Sequence, residues 1–274
     1  MTILFGRRYR LLFGQYGGTA RVISGLRVSF SIEKSIDSDA NTGTITIYNL
    51  NEQSRSEIER EGTVISLEAG YSDEIGLIFS GNDLRVSSTR RGVDMITQIQ
   101  LGDGQKQLKG TTVNAKFQAG TSMKDIFSSI ASQFDNLSIN FQDIAKLGAK
   151  ILSGDLTLSG AAKKAMDTVA DSLDADWSIQ DGEVRVIPKE RLSGDTTVYL
   201  SPSSGLIGHA AKTEEGVMFT SLLNPRIQIG RGVEVSSRQV NGVYKPTKIS
   251  HRGDSWSGDW VTQVECKDAK TLRV

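Results

Sequence analysis

Two histidines, one cysteine and a few acidic or glycine-rich turns are the residues with which this 274-residue chain could do chemistry. His209 and His251 have no partner at metal-ligand spacing such as His-x-x-x-His. His251 falls at the end of a predicted strand before a turn, where a bond to a backbone carbonyl suits it. Cys266 stands alone, which excludes an internal disulfide and any multi-cysteine metal site. It lies in a predicted strand and reads as a small buried apolar residue. Gly253-Asp-Ser255-Trp-Ser257 approaches a nucleophile elbow but lacks the final glycine and a following helix. Gly102-Asp-Gly104 through Gly110 has glycines and lysines but no Gly-Lys-Ser/Thr, so a phosphate loop is not formed. Asp171, Asp174 and Asp176 could supply the carboxylate pair of a glycosidase, yet nothing isolates two of them from solvated turn acids. Arg252-Gly-Asp254 matches an adhesion tripeptide and reads as a β-turn. The pairs Arg7-Arg8 and Arg90-Arg91 build no basic stripe and suit solvated or intersubunit ion-pair roles. No catalytic, cofactor-binding or metal-binding residue is assigned, and the expectation is a protein that is not an enzyme.

Lys plus Arg and Asp plus Glu are both 32. Tight binding to nucleic-acid backbone calls for a basic excess, which is missing here. A net charge of zero also removes the repulsion that keeps monomers apart, consistent with self-association. No apolar run reaches the roughly 18 residues of a membrane span. The opening Met1-Thr-Ile-Leu-Phe-Gly-Arg-Arg-Tyr-Arg10 lacks the apolar core of a signal peptide. The expectation is a soluble product made in the cytoplasm. Gly is high at 28 and Pro low at 4, which suits many short strands joined by glycine turns.

The elements that must position these residues are mostly strands. Leu26, Val28, Phe30 and Ile32 alternate with Arg27, Ser29, Ser31 and Glu33, as a strand with one wet face requires. Ile65, Leu67 and Ala69 repeat the pattern, as do Met95, Thr97, Ile99 and Leu101. Residues 51–61 predict one short helix capped by Asn49 or Asn51, with Glu52 at its positive end. Met123, Ile126, Phe127, Ile130 and Phe134 form a helical stripe that Thr121 or Ser122 could cap. Ala162, Met166, Val169, Ala170 and Leu173 form a second, with Ser159 as the cap. Trp177–Ile179 and 184–187 flank an Asp181-Gly182 hairpin turn. Strand character returns at 218–221, 226–229, 232–236, 243–250 and 260–267. The predicted fold class is α+β, mostly β: a β-barrel over 1–110, a small α/β unit over 111–191 and a second β-barrel over 192–274. An alternative stays open, in which the last strands complete the first barrel and the α/β unit is inserted.

Two stretches carry a family resemblance. Gly43-Thr-Ile-Thr-Ile-Tyr48-Asn49-Leu50, the following helix, Ala69-Gly70-Tyr71, Phe79-Ser-Gly81 and Asp103-Gly104 resemble the first domain of baseplate hub proteins of tailed bacteriophages, of the tail-tube-like, late control protein D-like kind. Leu222-Leu-Asn224-Pro225, His251-Arg-Gly253-Asp254 and Trp260-Val-Thr262 resemble the second barrel of the same family. Tyr48 and Leu50 are expected to close a strand over the helix, and Gly70 and Gly81 to permit turns.

The resemblance implies a structural virion protein of the tail baseplate, assembled in the host cytoplasm. Hubs of this kind form homotrimers in which two tube-like barrels per subunit make a pseudo-six-fold ring. The ring joins a six-fold tail tube to a three-fold central spike, and its lumen passes DNA and the tape-measure protein. Implied partners are therefore the tail tube protein, the spike, the tape-measure protein, other baseplate proteins and DNA without sequence-specific binding. Spike and lytic activities are expected in other chains. A distal tail ring, or a hub of a contractile injection machine, is the alternative, and a cell-wall hydrolase of the tail tip the third reading.

Overall fold

The computed structural model describes residues 6–72, 74–145, 147–194 and 197–269, so the first five residues of the opening stretch lie outside it. The N-terminal region contains β1 (Arg7–Gln15), β2 (Arg21–Ile23), β3 (Val28–Ser35), β4 (Asn41–Tyr48), α1 (Glu52–Ile58), β5 (Thr63–Tyr71), β6 (Glu74–Arg91) and β7 (Asp94–Asp103). Then come α2 (Gln105–Gly110), β8 (Thr112–Phe117), α3 (Met123–Ala131), β9 (Ser138–Ile139), α4 (Phe141–Ala145), β10 (Leu156–Ala161), α5 (Ala162–Ser172), β11 (Ala175–Gln180) and β12 (Glu183–Pro188). The last region holds β13 (Thr197–Leu200), β14 (Leu206–Lys212), β15 (Gly216–Leu222), β16 (Gly232–Ser236), β17 (Asn241–Asp254) and β18 (Trp260–Asp268).

The chain is α+β and mostly β, but its strands do not separate into two closed barrels. A single 13-stranded sheet runs β14-β15-β18-β17-β3-β4-β7-β6-β5-β1-β2, with β16 on β17 and β13 on β16. The link between its halves is β3 on β17, antiparallel from Lys248↔Ser35 to Asp254↔Ser29. Three separate apolar clusters nevertheless form. One lies within the first half of the sheet, one in the α/β unit and one in the second half.

Each half repeats one strand order. The first pairs as β3-β4-β7-β6-β5-β1, and the second as β14-β15-β18-β17-β16-β13. Taken in chain order, β1, β3, β4, β5, β6 and β7 match β13 through β18 one for one. The match breaks in one place: β13 lies parallel to β16, whereas β1 lies antiparallel to β5.

Local chemistry explains most elements. Val28, Phe30 and Ile32 of β3 point into the core while Ser29, Ser31 and Glu33 face water. Asn51 caps α1 by accepting from the Ser54 amide at 2.8 Å. Ser122 precedes α3, but α5 starts after Ala161, because the expected cap, Ser159, is drawn into β10 opposite Asn114. The Asp181-Gly182 turn takes positive φ at both positions, as a two-residue hairpin of this twist requires. Residues 226–229 form no strand: Asn224 Oδ1 accepts from the Arg226 amide and its carbonyl from Ile227, which turns the chain after Pro225.

Candidate functional site

Most of the residues that carried the resemblance meet at the seam between the two halves of the sheet. Trp260 lies in the core of the first half although it belongs to β18. Its indole Nε1 donates to the Gly70 carbonyl at 3.0 Å, and its ring meets Phe30 edge-on with centroids 5.2 Å apart. The Tyr71 hydroxyl reaches the Trp260 carbonyl at 3.5 Å. Gly253 must lack a side chain, since a Cβ there would lie 2.4 Å from Phe30 and 2.6 Å from Trp260. Pro225 packs against Gly76 beside this seam.

Gly70 and Gly81 do not make turns. Both lie inside strands, β5 and β6, where close backbone approach excludes a Cβ: at Gly70 it would sit 2.0 Å from the Glu74 carbonyl oxygen, and at Gly81 2.8 Å from that of Gly102. Leu50 is buried in the first core, whereas Tyr48 lies outside that core under the Arg27 guanidinium, which stands 4.6 Å from its ring centre. Asn49 takes the left-handed conformation (φ 58°) and pins the β6–β7 turn, donating to Asp94 and accepting from the Met95 amide.

Asp254 organises the next turn. Its carboxylate accepts two bonds from Arg27 and caps the amides of Trp256 and Ser257. Those bonds hold it below the usual carboxylate range against the opposing pull of burial. Arg7 donates to the carbonyls of Asp254 and Gly258, so β1 is tied to this turn by side chains. Arg252–Asp254 is thus the end of β17, and the turn begins one residue later. Asp254→Ala is expected to cost about 1–2 kcal/mol, the value of a lost cap and charged hydrogen bond, with the fold retained. Chemical denaturation followed by fluorescence measures it; an unchanged midpoint would contradict the assignment.

The residues facing away from the cores make a continuous polar face across both halves. In the strand register, Thr220, Gln263, Ser250, Glu33 and Thr42 follow one another across five strands. A neighbouring row runs Arg252, Ser31, Thr44, Gln100 and Arg85. The Ser250 hydroxyl donates to Glu33 at 2.7 Å and Arg252 stands 3.6 Å from the same carboxylate. Over the second half this face dips into a trough of about 590 Å³ with His209, Met218, Lys248 and Glu265 on its walls. Hydroxyls and amides dominate the two rows, whereas the trough also has Ile207, Ala211 and Met218 on its walls; acids and bases are interspersed in both. Arg8, Arg90 and Arg91 are exposed on β1 and at the end of β6.

Burial is the first cause of the shifts at His251, Asp103 and Cys266. His251 lies inside β17, and its Nδ1 bonds the Thr262 hydroxyl at 2.9 Å rather than a backbone carbonyl. Desolvation, aided by Lys34, pulls its pKa down to about 3. Asp103 accepts from the amides of Asp181 and Gly182, clasping the tip of the β11–β12 hairpin. Its pKa is pushed up to about 7, by burial first and by Asp181 second. Lys34, buried, bonds Asp181 at 2.5 Å. Asn41 donates to the Ile179 carbonyl, completing the joint between the α/β unit and the sheet. Burial likewise raises the Cys266 thiol far out of the reactive range. Asp171 pairs with Lys189, and among the described residues no group of three His, Cys, Asp or Glu side chains is placed to hold a metal ion. Among the described residues no helix is long and apolar enough to cross a membrane. Sequence reading named Asp103 only as part of a motif, without its clasp on the hairpin, and missed Lys34 and Asn41; the one available signal was a lysine and an asparagine at inward positions of strands.

Solved structures place this fold among phage tail proteins. The prophage MuSo2 43 kDa tail protein from Shewanella oneidensis superposes with a TM-score of 0.66 at 8% identity, over 95% of this chain and 98% of its own. The tail protein from Neisseria meningitidis MC58 gives 0.65 at 11% identity, over 96% and 97%. The E. coli c3393 protein, a type VI secretion component described as similar to the T4 tail proteins gp27 and gp5, gives 0.59 at 9% identity, over 94% of this chain and 77% of its own. At such identities these likenesses show the fold alone. No curated protein matches the chain. The family model of baseplate hub gp41 matches residues 13–266, and the chain belongs to that family. It is a structural protein of the phage tail baseplate.

Proposed function

We propose that three copies of this chain form a ring that joins a six-fold tail tube to a three-fold central spike. Family membership over residues 13–266, together with two halves of one strand order, carries this reading. Two like halves in each of three copies give six quasi-equivalent positions around an axis. The division into units of 1–110, 111–191 and 192–274 belongs to the same proposal and is supported by the three separate apolar clusters.

The polar face of the sheet lines the lumen in this reading. Each lysine or arginine on a phosphate adds salt-dependent affinity, so a passage for DNA must interrupt its bases with acids and hydroxyls. Glu33 and Glu265 among Lys248, Arg252 and Arg85 do that. The tail tube protein, the spike, the tape-measure protein and the passing DNA are the partners. Assembly takes place in the host cytoplasm, and no catalysis is required of this chain.

Native mass spectrometry of the purified chain, with electron microscopy of the particle, tests the proposal. A trimer with six similar lobes is expected, with DNA held no more tightly than about 10⁻⁴–10⁻⁶ M at physiological salt. A hexamer would favour the distal tail ring, and tight DNA binding would overturn the lumen assignment.

A further inference from the structure

Within the chain, β3 lies along the second half of β17 and joins the two halves of the sheet. The strand matching β17 in the first half is β6, and the strand matching β3 in the second half is β14. Both are left with an open side. From Arg85 to Arg91, β6 pairs with β7 but with no other described strand, its pairing with β5 ending at Asn82. Among the described strands β14 pairs with β15 alone.

Burial follows the same logic. Ile249, Ser250, His251 and Gly253 are buried where β3 covers β17, whereas the matching stretch of β6 is exposed at Ser87, Ser88 and Thr89. Strand β3 alternates between buried and half-wet positions, while β14 exposes Ile207, Gly208 and His209 in a row. Unpaired edges of this length template pairing with another chain. Exposed Leu84 and Ile207 at the two edges add apolar area to such a contact.

We propose that β14 of one copy adds antiparallel to the second half of β6 in the next copy, repeating between copies the β3–β17 junction that joins the halves within one. This rests on the ring of Proposed function and names its interface. The occupant of each open edge is a second copy of this chain. Every copy offers one edge of each kind, so the contact is head-to-tail and closes a ring in which neither of these two edges is left open. The polar face then continues across the junction, because antiparallel pairing of the same hand keeps alternate side chains on one side.

Paired cysteines test this. Directly opposed strand residues bring Cα atoms within the 4.4–6.8 Å that a disulfide spans. Ser87→Cys or Ser88→Cys would be combined with Ile207→Cys or His209→Cys in the full-length chain, the buried Cys266 being left in place. Exposed positions should leave thermal melting unchanged. Under mild oxidation, at least one pairing is expected to give a covalent ladder ending at three chains, absent from each single-cysteine variant. A trimer by native mass spectrometry with no cross-link in any pairing overturns the edge assignment while leaving the ring. A chain that stays monomeric at every concentration overturns both.

Discussion

Replacing Trp260 by alanine is expected to cost about 3–5 kcal/mol, the range for truncating a buried tryptophan or phenylalanine. Trp260 is only 2% exposed and fills the first core from a strand of the second half. Truncation removes the edge-on packing with Phe30 and leaves the Gly70 carbonyl without the indole donor. It spares the backbone bonds at position 260, since the Leu223 amide and the Tyr71 hydroxyl both reach the carbonyl oxygen. The loss is therefore one of packing and one donor. Against a total stability of about 5–15 kcal/mol, it leaves little margin. Trp260→Phe should keep most of the packing and lose chiefly the hydrogen bond, costing about 1–3 kcal/mol. Urea denaturation of the two variants distinguishes these terms. A cost under about 1 kcal/mol for the alanine variant would show that the seam does not hold the halves together.

What the sequence made legible is what neighbours in the chain decide. Period-two alternation marks β3, β5 and β7, and the stripe Met123 to Phe134 marks α3, because each pattern is set by one face meeting one core. The partner of β3 was not legible. Ser29 pairs with Asp254 across more than two hundred residues, and alternation says that a strand has a wet face without saying which strand lies beside it. For that reason the choice between two barrels and one interrupted barrel stayed open, and the answer is a shared sheet over separate cores. Strands β13 and β14 escaped notice because the first has four residues and the second carries a bulge at Gly208, which breaks the alternation. Residues 226–229 looked like a strand for the opposite reason: Ile227 and Ile229 are both buried, but from a turn that Asn224 organises. The resemblance residues gathered at the seam, yet their roles had to be corrected, since a glycine required by close approach reads the same in sequence as a glycine required by a turn.

His251→Asn is expected to make the protein more tolerant of acid, and the difference from the native chain should grow as pH falls. His251 is 2% exposed, and its folded pKa of about 3 lies below the unfolded value near 6.5. The unfolded chain therefore takes up a proton that the folded one refuses, so the stability His251 contributes is present above pH 6.5 and is lost toward pH 3. The slope approaches about 1.4 kcal/mol per pH unit, and the whole window amounts to about 5 kcal/mol. Asparagine keeps a group able to bond the Thr262 hydroxyl and cannot titrate. Asp103 works the other way. Its folded pKa of about 7 exceeds the unfolded value near 3.9, so its contribution is full below pH 3.9 and is lost as pH rises through 7. Between about pH 4 and 6.5 the two slopes oppose each other, which flattens the native profile. Stability of the native chain, His251→Asn and Asp103→Asn would be measured by urea denaturation from pH 4 to 8. The His251 difference should widen toward acid, and the Asp103 difference should change with the opposite sign between pH 4 and 7. Parallel profiles for all three proteins would show that neither buried group keeps its folded-state protonation, and that the joint at Asp103 and the strand interior at His251 open to water.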